Sequence, residues 1–134
     1  MSPPTRHPWI FAAFLIGAAY ALIGILFGLP HEHAKFWRLS AWFVSAVLFA
    51  AHITYERLRL RSSPVLGALH VSSATAFGAF GLAVAANLHS LTLGSAAQHR
   101  LLLAAALVLW PAITAVPAFL TAWVASALLA RTPL

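Results

Sequence analysis

Two histidines and one glutamate are the residues of this chain whose types and spacing suit chemistry. His52 and His70 each lie nine residues from Arg61, on opposite sides of the basic turn Arg57-Leu58-Arg59-Leu60-Arg61-Ser62-Ser63-Pro64. If the flanking segments are helices folded back antiparallel, the two imidazoles reach about the same depth. Facing histidines on neighbouring bundle helices are one way to hold haem iron through two axial nitrogens. His52 and His70 are therefore candidate ligands of a b-type haem, and Gly67, Ala74 and Gly78 would leave room for the macrocycle.

Glu56 follows His52 by one helical turn, so the two share a face. Imidazole and carboxylate suit zinc or a similar ion, which makes His52, His70 and Glu56 an alternative metal set. Glu56 is also a candidate proton-relay carboxylate beside a quinone. The competing reading is structural. In it the imidazoles bond neighbouring helices, for example at Ser45, Thr54 or Ser73, and Glu56 pairs with the adjacent arginines. A second group, His31, His33, His89 and His99, falls in two connections at the opposite end. Brought together, those four suit a surface metal site or a second haem; left apart, they are polar loop residues.

Other chemistries are excluded. There is no cysteine, hence no disulfide and no thiolate ligand. There is no aspartate, and the two acidic residues, Glu32 and Glu56, do not make a catalytic carboxylate pair. No glycine-rich phosphate loop and no nucleophile elbow is present. These absences argue against catalysis by the chain itself.

The elements that must position His52 and His70 follow from composition. Hydrophobic residues make up 62% of the 134 and charged residues 7%, where soluble domains carry about 25% charged. The net charge is +6, but the cations fall singly or in short groups between long apolar runs. That pattern points to lipid headgroups and not to nucleic acid. Four spans are predicted, at about 9–29, 39–56, 65–88 and 101–130. The first carries 21 uncharged residues, enough to cross a core of ~30 Å at ~1.5 Å per residue. Ala19-Tyr20-Ala21 resembles a signal-peptide cleavage site, yet the apolar run exceeds the usual h-region, so the segment is expected to remain as a span with Trp9 at the interface. Ala13/Gly17 and Gly24/Gly28 are small-xxx-small pairs suited to close helix approach.

Residues 31–38 read as an interfacial connection. Ser63 reads as an N-cap with Pro64 at the first helical position. Residues 87–98 read as a polar loop. The 30 uncharged residues from Leu101 to Ala130 contain Pro111 and Pro117, which predicts a kinked or tilted last helix.

The fold expected is an all-α integral membrane bundle of four transmembrane helices with both termini on one side. That side carries Arg6, Arg57, Arg59, Arg61 and Arg131; the other carries Lys35, Arg38 and Arg100. The bias places the termini in the cytoplasm, in a cell inner membrane, with Arg57, Arg59 and Arg61 at the headgroups. The leading functional expectation is a non-catalytic accessory subunit of a larger membrane complex. Haem-based electron transfer through His52 and His70 is the first alternative, and a small transporter or channel the second. Ser72, Ser73, Thr75 and Asn87 are the nearest approach to a polar stripe.

Overall fold

The computed structural model describes residues 8–30, 32–94 and 96–131. They form four helices, α1 (Pro8–Gly28), α2 (Ala34–Leu58), α3 (Pro64–Thr92) and α4 (Ala96–Leu129). No strand occurs among the described residues. All four helices are long and apolar enough to cross a membrane. A helix satisfies its backbone polar groups internally, which hydrocarbon demands. The chain is thus an all-α, multi-pass integral membrane protein.

The helices alternate up and down. Trp9 at the start of α1 stacks on His70 near the start of α3, and at the far end Phe27 of α1 meets Trp37 of α2. Asn87, late in α3, donates from Nδ2 to Leu103 O, early in α4 (3.0 Å). Both ends of the described chain therefore lie on the side of the Arg57–Pro64 turn.

α3 is the central helix. It packs against the other three, while α1 and α4 do not meet. Its small residues permit this. A Cβ on Gly78 would lie 2.5 Å from Tyr20 Cβ and 2.9 Å from Gly17 O, and one on Gly17 would lie 2.9 Å from Ala74 O. Backbone is in contact there, so neither position has room for a side chain. Ala13 and Gly17 are buried in this crossing as their spacing suggests, and Gly24 rests on Leu82. Gly28 faces open space and takes no part. The apolar core lies at the turn end: Ile53, Ala68, Val71 and Ala122, flanked by Phe49, Phe119 and Ala125.

Two boundaries differ from the sequence reading, and the break in α4 lies elsewhere than at its prolines. α2 begins at Ala34, because His33 turns the chain through a left-handed conformation (φ 57°) and accepts from Phe36 N–H and Trp37 N–H. Phe36, Trp37 and Arg38 are therefore helical. α3 continues past Asn87 to Thr92, since Asn87 bonds Ala83 O within its own helix as well as Leu103 O. In α4 the backbone stays helical through Pro111 and Pro117, and the one non-helical residue is His99 (φ −126°, ψ 18°). A proline removes one hydrogen bond, a loss that packed membrane helices tolerate.

Candidate functional site

The turn between α2 and α3 builds the site. Arg59 N–H and Leu60 N–H both bond Tyr55 O, which closes α2, and Arg61 then takes a left-handed conformation (φ 51°). Ser62 N–H returns to Glu56 O (3.1 Å). Ser63 caps α3, its hydroxyl accepting from Leu66 N–H (3.3 Å), with Pro64 in the first turn as its type requires. The reversal sets Ser62 over the end of Glu56 and starts α3 beside α2.

Glu56 is the centre of the cluster, with 1% of its surface exposed. Ser62 Oγ donates to Glu56 Oε2 at 2.8 Å, and His70 Nδ1 lies 2.9 Å from the same oxygen. With the Nδ1–H tautomer, His70 donates across the α2–α3 interface. His52 Nε2 stands 3.7 Å from Glu56 Oε1, too far for a hydrogen bond. His52 Nδ1, His52 Nε2 and Glu56 Oε1 are consequently buried without hydrogen-bond partners. Trp9 lies flat on His70, centroids 4.3 Å apart and planes 5° from parallel. The cluster thus draws side chains from α1, α2, the turn and α3.

Sequence reasoning brought His52, His70 and Glu56 to one place, and the fold does the same. The structural partners it named are different. Thr54 and Ser73 donate to their own helices, at Ala50 O and Leu69 O, and not to the imidazoles. Arg57 reaches Ser62 O (3.4 Å), so Glu56 pairs with imidazoles in place of the neighbouring arginines. Arg59 and Arg61 are exposed at the end of the bundle. Among the described residues no set of three or more His, Cys, Asp or Glu has an arrangement that would hold a metal ion. His33, His89 and His99 are exposed, and His31 lies outside the described residues.

Trp9 and Ser62 were not found from sequence. Trp9 is distant from His70 along the chain, and only helix packing joins them. Ser62 had a weak local signal, as a hydroxyl in the turn next to Glu56. A separate cavity of about 480 Å³ lies among all four helices; neither histidine nor Glu56 lines it. No family model, curated protein or solved structure matches the chain.

Proposed function

We propose that this chain is a non-catalytic subunit of a larger membrane complex, docking through α2. The observation that carries the reading is the uneven burial of that helix. Its buried residues are His52, Ile53 and Glu56, all near its C-terminal end. Towards the other end Phe36, Leu39, Phe43 and Val47 are 62%, 70%, 71% and 54% exposed. Steps of three and four residues align them in one stripe. A helix fixed at one end by the Glu56 cluster and open along this stripe is suited to receive another transmembrane helix. The bias of arginines favours termini in the cytoplasm, and in this reading the chain sits in a cell inner membrane with Arg57, Arg59 and Arg61 at anionic headgroups.

The test is site-specific photo-cross-linking in native membranes, with the probe at Leu39 or Phe43 and, as control, at Leu109 or Ile113 on exposed α4. The α2 positions should give one discrete protein adduct that disappears when the neighbouring stripe residues are cut back in Phe36→Ala/Val47→Ala. Lipid adducts alone at all four positions would refute the reading.

A second reading, electron transfer through a b-type haem on His52 and His70, is favoured by one observation: both ring nitrogens of His52 are buried and unpartnered. His70 would offer Nε2, since its Nδ1 is held by Glu56 Oε2. Haem bands in a reduced-minus-oxidised spectrum of the gently purified complex, lost in both His52→Ala and His70→Ala, would establish it. A featureless spectrum would remove it.

A further inference from the structure

The exposed stripe on α2 ends in charge. Lys35, Leu39, Phe43 and Val47 follow one another at four-residue steps, so each lies beside the next on the helix surface. Arg38 stands one turn before Trp42, next to the same stripe, and both cations are exposed. Lys35 is the only lysine of the chain. It lies in the first turn of α2, at the end of the bundle opposite the Arg57–Pro64 turn.

Neither cation has an anion beside it. Among the described residues the ion pairs are those of Glu56 with His52 and His70, so Glu32, the acidic residue at this end, pairs with neither Lys35 nor Arg38. α2 also opens without a side-chain cap and with no acidic residue in its first turn. Cations placed there face the positive end of the helix dipole, which disfavours them. In the topology proposed above this is the non-cytoplasmic side. Lysine and arginine are scarce in short loops there, and the anionic lipids of the cytoplasmic leaflet do not supply a counter-ion. A carboxylate brought by another chain meets each of these conditions.

The stripe itself suits protein better than lipid. Trp42 is 79% exposed and lies four residues from the middle of α2, about 6 Å from mid-bilayer. Tryptophan facing lipid belongs at the interface and not at that depth. A second copy of this chain does not fit the stripe. A two-fold pairing sets the same surface against itself, and two copies cross the membrane in the same sense. Lys35 and Arg38 would then meet Lys35 and Arg38, and like charges in contact oppose the pairing.

We propose that the stripe receives a transmembrane helix of a different protein, which carries an aspartate or glutamate at its non-cytoplasmic end to pair with Lys35 and Arg38. This rests on the docking reading of α2 and names the chemistry of the partner. Apolar side chains of that helix cover Leu39, Phe43 and Val47, and the carboxylate fixes its register along them.

The experiment uses the full chain in native membranes. A photo-cross-linking probe at Phe43 reports contact, and a carbodiimide, which joins an amine to a carboxylate in direct contact with it, reports the acid. Both should give an adduct with the same protein, identified by mass spectrometry. Lys35→Arg keeps the charge and removes the amine, so it should lose the carbodiimide adduct and retain the photo-adduct. Lys35→Glu/Arg38→Glu should lower the photo-adduct about fivefold or more through the loss of two charge pairs. A photo-adduct with no carbodiimide adduct, or one undiminished by the double reversal, would overturn the proposal while leaving α2 a docking helix. An adduct with the mass of two copies of this chain would overturn it as well. Absence of any protein photo-adduct at Phe43 would sink the docking reading, and this proposal with it.

Discussion

Replacing Glu56 and His70 singly and together tests the central cluster. The Glu56–His70 contact is short (2.9 Å) and buried on both sides. Hydrogen bonds to a charged group are worth about 1.5–3 kcal/mol. Glu56→Leu removes the acceptor of two donors, His70 Nδ1–H and Ser62 Oγ–H, while keeping most of the volume. It should cost about 3–5 kcal/mol, as expected when one member of a buried pair is removed. His70→Phe keeps a ring under Trp9 but leaves Glu56 with Ser62 alone, and should cost about 2–3 kcal/mol. The double variant removes donor and acceptor together, a replacement that is often close to neutral. Its loss should fall short of the sum by at least about 1.5 kcal/mol, near the upper end measured for interhelical bonds in membranes. Reversible unfolding by SDS titration from mild detergent, followed by far-UV circular dichroism, measures all four proteins. Losses that add to within about 0.5 kcal/mol would show that the two side chains are not coupled, and the cluster could then not be what fixes α2 to α3.

Three further outcomes follow from the packing. Gly78→Ala should destabilise by about 1–3 kcal/mol through overpacking against Tyr20 and Gly17 O, whereas Gly28→Ala, with nothing within 4 Å, should be neutral or slightly stabilising; the same SDS titration compares them. Asn87→Leu should cost about 0.6–1.7 kcal/mol and raise hydrogen exchange where α3 meets α4, because the bond to Leu103 O is lost. Arg61→Gly should stabilise the detergent-solubilised chain by about 1 kcal/mol by relieving a left-handed non-glycine residue, with unchanged stability there counting against strain in the turn.

The four spans were legible because apolar runs of this length permit few other structures. Ser63 and Pro64 likewise announced the start of α3, since capping is a local matter of one hydroxyl and one missing N–H. The ends of α2 and α3 were misplaced for the opposite reason. Charged and polar residues such as Lys35 and Asn87 look like loop, but a helix continues wherever it has partners, and Leu103 O supplies one for Asn87. The prolines of α4 predicted a kinked or tilted helix, but the backbone stays helical through both, and the one non-helical residue, His99, lies near the start of α4, away from either proline.

The sequence by itself determined that this is a helical membrane protein whose two turn-flanking histidines and Glu56 share one end of the bundle. Spacing along helices and the reversal at Arg57–Pro64 suffice for that, because both are local. Only the tertiary structure decided what those groups touch. Whether Glu56 meets arginine or imidazole depends on the rotation of α3 about its axis. That rotation is set by the close crossing of Gly17 and Gly78, and the stacking of Trp9 on His70 by the parallel course of α1 and α3. The cavity of about 480 Å³ is decided in the same way, since its walls come from four helices and no segment of the chain contains it.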